Sequence, residues 1–470
     1  MHSTAVQDTP RAAGNQTAIL AIILVSYFMI LLDNSVVFTG LPSIRADLEL
    51  TPATLSWVQD AYTLVFGGLL LLGARAGDLL GRRRLFLIGL ALFGTASLLI
   101  GVAPTGWWIV AARGLQGVGA AIVAPTSLAL ITAHFTGEAR SRAVAWYAAT
   151  AGIGASLGML VGGALTAWIS WRAAFLVNVP IAAIMIFAAR RVLTETERRS
   201  GRFDVIGAVC ATLGMSALVF GIMESTERGW TDPLTLSALT VAAALLIALV
   251  LHEARAPQPI MPLRLFSHRE RSGAYATRLL YMGAMIGFFY FTTQYMQDTL
   301  SFSPLQAGLG FIPMTAVNFA VAMAIPRLAG HISGPVLLLA GVVVTLAGMA
   351  WLSRLDPDGT YLIAVALPML LIGAGQGLAF APMTNAGISS LSTEDAGAGS
   401  GLINTAHQLG MALGLGILVT VATSANDTAG VAGHVSAALT GSSVLLGLAL
   451  TVVLLVVIPS RRAEPAHNDA

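Results

Sequence analysis

Three ionisable side chains lie inside long apolar stretches of this chain: Asp33, Asp60 and Arg113. Most of their neighbours are aliphatic or aromatic, so each charge would be surrounded by apolar groups. An acid in such a place can take up and release a proton, and a nearby arginine tunes how readily it does so. The pattern therefore predicts a proton-exchange site that contains Asp33, Arg113 and Asp60.

Less specific roles stay open for these and two further buried groups. Asp33 and Arg113 could be a purely structural ion pair, and Asp60 could lie close enough to the outer surface to be hydrated and inert. Arg278 could extend its aliphatic stem so that the guanidinium reaches a water interface. His407 could be a packed neutral side chain or a proton relay.

Composition places these charges in a membrane. The chain has 470 residues, of which 56% are hydrophobic and 10% charged, whereas soluble domains carry roughly 25% charged residues. A spanning helix needs about 20 mostly apolar residues. We predict an all-α integral membrane protein with fourteen spans, near 17–39, 52–74, 84–103, 107–131, 141–166, 172–192, 205–223, 233–252, 273–296, 305–328, 334–354, 360–385, 397–422 and 438–458.

The polar connections divide the spans into two halves. The two longest connections, 193–204 and 253–272, flank the seventh and eighth spans, and removing that pair leaves six spans on either side. Repeated halves are common in transporters, with the site at their interface. We expect a six-helix bundle in 17–192, cytoplasmic connections with two linker helices (205–223 and 233–252) in 193–272, a second six-helix bundle in 273–458, and cytoplasmic tails in 1–16 and 459–470.

Arginine predicts the orientation. With the N-terminus inside, most arginines face the cytoplasm, including the triplet Arg82, Arg83 and Arg84. Few then lie outside, among them Arg45 and Arg172. This bias is typical of cytoplasmic loops, and the even number of spans puts both termini in the cytoplasm.

Several motifs occur in order along the first half. The sequence GARAGDLLGRRRLF at 73–86 joins the second and third spans, RGLQGVGAAIVAPT at 113–126 lies in the fourth, and a glycine ladder follows in the fifth. They resemble the motifs of the major facilitator superfamily, in particular its fourteen-span drug:proton antiporters. The matching residues are Asp33, Asp78, Gly81, Arg82, Arg83, Arg113, Gln116, Gly117, Gly154, Gly158, Gly162 and Gly163. The ladder departs from the family pattern at Met159, where the family has proline.

This resemblance implies roles for the matching residues. Asp33 would carry the proton, and Arg113 would adjust how readily Asp33 binds and releases it. Asp78 would contact the start of the thirteenth span near Gly397 and hold the outward-open state, although a solvated loop charge stays an alternative. The glycine ladder would permit close helix contact while the two bundles rock.

A candidate substrate surface lies on the ninth span. Tyr290, Gln294 and Gln297 share one helical face by their spacing. An apolar cavity with a few polar groups suits amphipathic molecules of varied shape. Further candidates from other spans are Met29, Asn318, Asn404, Gln408 and Gln116.

The sequence thus predicts a proton-coupled transporter in a bacterial inner membrane that exports amphipathic, cationic drugs or antibiotics by alternating access. A dedicated exporter of one endogenous metabolite or self-made antibiotic is the alternative. We expect no cofactor or metal, no nucleic acid partner and a monomer, with the proton gradient as energy source. The sequence contains neither a nucleotide-binding loop nor an HExxH motif that would indicate an enzyme, and a channel or receptor is less compatible with two repeated halves.

Overall fold

The computed structural model describes residues 10–195, 204–257, 259, 261–355, 360–389, 391, 396–425 and 430–459, which are almost entirely helical. The first half and the linker contain nine α-helices: α1 (Pro10–Leu48), α2 (Pro52–Leu80), α3 (Arg82–Gly101), α4 (Gly106–His134), α5 (Gly137–Trp168), α6 (Trp171–Leu176), α7 (Asn178–Val192), α8 (Val205–Arg228) and α9 (Pro233–Glu253) within the described residues. Side-chain caps fix several starts, since Thr51, Thr105 and Ser170 each accept a backbone N–H of the following helix.

The second half begins after a short 3₁₀ turn at Leu263–Phe266. Its described helices are α10 (Arg269–Gln294), α11 (Pro304–Gly310), α12 (Ile312–Leu328), α13 (Gly334–Leu352), α14 (Leu367–Gly387), α15 (Ala396–Thr423) and α16 (Gly430–Val452). One π-helical turn extends α10 (Tyr295–Thr299), another precedes α14 (Leu362–Ala366) and a third extends α16 (Val453–Val457). A break at Phe311 separates α11 from α12, which together occupy the predicted tenth span.

The helices pack as two bundles with a linker pair. In the first bundle α1 packs along α5, and α4 packs between α2 and α3. In the second bundle α10 lies against α14, α15 and α16, while α13 packs along α14. The linker helices α8 and α9 pack on each other, and α8 also contacts both α2 and α15. The two bundles meet mainly where α2 packs along α15 and where α5 meets α11.

Twelve helices of the described residues are long and apolar enough to cross a membrane. This finding establishes a multi-pass membrane protein. The two predicted spans outside that set are α5, in which only 157–168 qualifies as a shorter apolar helix, and α10, which carries Arg278, Gln294 and several tyrosines. The count of fourteen spans stays a prediction. Below, the inner end of the bundles is the end that carries Arg82, and the outer end is opposite.

Candidate functional site

The centre of the first bundle contains a buried ion pair. Nη1 of Arg113 donates to Oδ2 of Asp33 at 2.7 Å, and neither side chain is exposed. The other carboxylate oxygen of Asp33 accepts from the amides of Gln116 at 2.9 Å and Asn178 at 2.7 Å. The amide of Gln116 also donates to the hydroxyl of Ser97 at 2.8 Å. Donors from α4 and α7 thus satisfy one carboxylate of α1, which is the arrangement that a buried charge requires.

Local packing positions the guanidinium of Arg113. Its Nε donates to the carbonyl of Val58 at 2.9 Å, and its Cζ lies 4.3 Å from the ring centroid of Tyr62. Gly117, one turn further along α4, lets the backbones approach, because a Cβ there would lie 2.7 Å from the carbonyl oxygen of Tyr62. The close contact of α4 with α2 therefore holds Arg113 in place.

Asp60 is buried differently. Its side chain is fully buried, and neither carboxylate oxygen has a hydrogen-bond partner among the described residues. It lies in α2, about 12 Å from the helix start at 1.5 Å per residue. Asp60 therefore joins neither the ion pair nor the outer surface.

The outer ends of the two bundles are joined. Arg45 of α1 donates to Asp298 beyond α10 at 2.9 Å, with side-chain exposures of 38% and 18%. The amide of Gln297 donates to the carbonyl of Thr39 at 3.0 Å. Deeper, the rings of Phe38 and Phe289 stack with centroids 5.7 Å apart. These contacts close the outer side of the space between the bundles.

The glycine ladder of α5 serves two interfaces. Gly154, Gly158 and Gly162 face α1, and a Cβ added at each would lie 2.7–2.8 Å from atoms of α1. Gly163 instead faces the second bundle, and a Cβ added there would be 2.5 Å from the carbonyl oxygen of Pro304. Adding a side chain at Gly163 would therefore push the outer ends of the bundles apart.

The arginine-rich loop is held within the first bundle. Glu195 accepts the backbone N–H of Arg83 at 3.0 Å and of Arg84 at 3.1 Å, so a carboxylate lies at the positive N-terminus of α3. Gly81 has a φ of +102°, which favours glycine, and it lies against Glu195. Arg82 donates to the carbonyl of Ala129 at 2.9 Å.

The contact predicted between Asp78 and the start of the thirteenth span is not among the contacts that the structure describes. The same holds for the other side-chain contacts of Asp78 and for the surroundings of Gly397, so their predicted contact stays a prediction.

Comparison with known proteins decides the family. The sequence pattern of the Major Facilitator Superfamily matches residues 23–415. The chain belongs to this superfamily. It is 39% identical over 467 residues to the cephamycin export protein CmcT of Amycolatopsis lactamdurans, covering 97% of this chain and 96% of that protein. It is also 37% identical to the puromycin resistance protein pur8 of Streptomyces alboniger, covering 93% and 89%.

A solved transporter structure has the same overall fold. A bacterial homologue of the human lysosomal transporter Spinster, crystallised in an inward-facing and unoccupied conformation, superposes with a TM-score of 0.69 at 14% identity. The match covers 98% of this chain and 100% of the other. The chain therefore has the fold of a major facilitator transporter, and it is a transporter of small molecules in a membrane and not an enzyme.

Within the superfamily fold, the predicted substrate residues fall into separate groups. Gln294 and Gln297 are partly exposed at the outer end of α10, close to the buried Tyr290. Met29 and Gln116 are buried inside the first bundle. The remaining three lie in the second bundle: Asn318 is partly exposed, Asn404 is exposed, and Gln408 is nearly buried against Gly67. Their roles in binding stay predictions.

Sequence reasoning missed several residues of the site. Asn178 and Ser97 bond within the Asp33 network, and an isolated asparagine in an apolar span could have indicated the first of them. The pair formed by Arg45 and Asp298 joins residues 253 positions apart, for which one sequence carries no signal. Glu195 lies in a connection between spans whose sequence is typical of a polar linker.

Proposed function

We propose that this chain exports amphipathic drugs or antibiotics with a cationic group in exchange for protons, across a bacterial inner membrane. Relatives that resemble it over nearly their full length are named for cephamycin export and puromycin resistance. The proton gradient supplies the energy, and a monomer suffices because both bundles belong to one chain. Both termini lie in the cytoplasm, as the arginine distribution indicates.

Fourteen spans are part of this proposal. Helix α5 packs along the spanning helix α1, and α10 lies among α14, α15 and α16. Both helices therefore run alongside spanning helices and add to the twelve apolar ones. The low apolarity of α10 is expected of a helix that carries polar groups towards a transport pathway.

The observation that carries the proposal is Asp60. An ionised carboxylate without a partner is costly in an apolar interior, so in this outer-closed conformation Asp60 holds a proton. Release of that proton towards the cytoplasm leaves a negative charge that attracts a cationic substrate. After the bundles rock, a proton from outside displaces the substrate. The competition between proton and substrate for one acid couples the two movements.

Asp33 has a different environment from Asp60. Its carboxylate accepts three side-chain hydrogen bonds and is paired with Arg113, so releasing or adding a proton would disturb a satisfied network. We infer that Asp60 is the coupling acid and that the ion pair orders the bundle around it. The proton-carrying role predicted for Asp33 is the competing assignment.

Ethidium efflux from cells tests the proposal. Wild-type efflux should stop when an uncoupler collapses the proton gradient, and Asp60→Asn should abolish uphill efflux at normal expression. Asp232→Asn is the matched control, because that residue caps α9 by accepting the N–H of Leu234 at 2.9 Å and asparagine caps equally well. Wild-type efflux that continues unchanged in the presence of the uncoupler would contradict proton coupling. Uncoupler-sensitive efflux by Asp60→Asn would instead assign the proton-carrying role to Asp33.

A dedicated exporter of one compound is the second candidate. The relative named for cephamycin export favours it. The two functions differ in breadth, so a panel of unrelated amphipathic dyes and antibiotics separates them. Efflux of several unrelated compounds indicates a multidrug role, whereas protection against a single compound indicates a dedicated one.

A further inference from the structure

Arg278 of α10 is a buried cation without a carboxylate partner. Arg278 is 3% exposed, and its Nε has no hydrogen-bond partner within the described part of the chain. Its Nη1 contacts the sulfur of Met383 at 4.0 Å, and no acid of the described residues lies within ion-pair distance. By contrast, Arg113 is paired with Asp33, and Arg271 donates to a backbone carbonyl at 2.9 Å. A buried guanidinium left in this way requires an anion to complete it.

The surroundings of Arg278 are aromatic and close to an accessible surface. Its Cζ lies 3.7 Å from the ring centroid of Phe380. That ring is itself 37% exposed, so the guanidinium lies one ring thickness below the surface. The ring of His407 stands edge-on to Phe380 with centroids 6.2 Å apart. One face of the guanidinium is therefore covered by Phe380, while its Nε–H is buried without an acceptor among the described residues.

Helix contacts place the cluster formed by Arg278, Phe380 and His407 towards the first bundle. Helix α14 packs on α13 through Gly375 and on α12 through Gly377. Phe380 lies one turn beyond Gly377, between the faces that contact α12 and α10. Helix α12 follows α11, which meets α5, and α15 packs along α2, so the surface between them faces the space between the bundles.

The cluster lies towards the inner end. Arg278 is about 14 Å along α10 from its start at Arg269, and Tyr290 is about 18 Å further outward. The outer side of the inter-bundle space is closed by Arg45 and Asp298. A molecule that arrives from the inner side would therefore meet Arg278 well before it reaches the level of Tyr290.

We propose that Arg278 binds an anionic group, a carboxylate or a phosphate, of an amphipathic molecule entering from the cytoplasmic side. The inference rests on the proposed export function and extends its substrate class from cations to zwitterions. A guanidinium can bind either group through two parallel hydrogen bonds. Phe380 and His407 pack against the apolar part of the same molecule. An anionic lipid of the inner leaflet offers the same chemistry as a transported substrate.

A matched pair of dyes tests this site. The probes are a rhodamine with a free carboxylate and its methyl ester, which differ only in the anionic group. Binding to purified full-length protein in neutral-lipid nanodiscs is measured by fluorescence polarisation. We expect Arg278→Gln to weaken binding of the free acid by about tenfold or more, as for loss of a charged hydrogen bond. Arg278→Lys should retain most of the binding, and the ester should bind all three proteins equally.

Equal weakening of both dyes, or no weakening of the free acid, would overturn the proposal. Binding of the ester also shows that each variant is folded. Nanodiscs with anionic phosphatidylglycerol separate the two sources of anion: competition with the free acid in the wild type assigns the site to a lipid headgroup, and lack of competition assigns it to the substrate. Uncoupler-sensitive efflux of the ester tests the export function independently of Arg278.

Discussion

Arg113 and Asp33 form an ion pair of 2.7 Å in which neither side chain is exposed, whereas Asp60, also buried, has no hydrogen-bond partner among the residues that the structure describes. Two acids in one bundle thus experience opposite environments. The first is fixed by three donors, and the second can exchange its proton without dismantling a network. This difference separates a structural role from a coupling role and leads to distinct predictions for each acid.

Asp33→Asn should destabilise the protein. The change leaves the guanidinium of Arg113 buried without its counter-charge, and breaking a buried pair costs about 3–5 kcal/mol. We expect a clear drop in the thermal unfolding temperature of the purified protein. The double variant Asp33→Asn with Arg113→Gln should recover part of that loss, because it removes the orphaned charge. A single variant as stable as the wild type would contradict a structural role.

Gly163→Val should prevent the outer ends from closing. The added side chain would collide with the carbonyl of Pro304 on the other bundle, so the conformation with a closed outer side becomes costly. Uphill efflux should be lost while the folded protein persists. Gly447→Val is the control, because a Cβ at Gly447 meets nothing within 4 Å. Unchanged efflux in Gly163→Val would show that the contact is not needed for the cycle.

Cross-linking the outer ends of the two bundles should stop transport reversibly. In a Cys210→Ala background, Arg45→Cys and Asp298→Cys place thiols where the native side chains form a 2.9 Å ion pair. A short bis-methanethiosulfonate reagent should then stop efflux, and a reductant should restore it. Each single cysteine variant serves as control. Efflux that continues in fully cross-linked protein would mean that the outer ends need not separate.

Glu195→Ala should loosen the start of α3. The carboxylate accepts two backbone N–H groups of that helix, and loss of such a cap costs about 1 kcal/mol. Hydrogen exchange should become faster at Arg83 and Arg84 and stay unchanged at the outer end of α3. Unaltered exchange at the first turn would show that other groups already hold it.

The sequence predicts the fold better than it predicts the pairing of charges. Apolar run lengths locate the helices to within several residues, although α1 extends from Pro10 to Leu48, well beyond the predicted 17–39, because polar residues at its outer end, such as Arg45, bond to the neighbouring bundle. The sequence analysis assigns Asp33, Asp60 and Arg113 to one proton-exchange site. Which acid meets the arginine depends on helix rotation, and one sequence does not determine helix rotation in a bundle.

The central claim is that Asp60 couples substrate to protons, and transport in proteoliposomes tests it most directly. Two reactions are measured on the same preparation: substrate exchange without a gradient, and uphill transport driven by an imposed pH difference. For Asp60→Asn the account predicts that uphill transport is lost and that exchange of a cationic substrate is slowed, since a neutral amide neither releases a proton nor attracts the cation. Uphill transport by Asp60→Asn at the wild-type level would contradict the account.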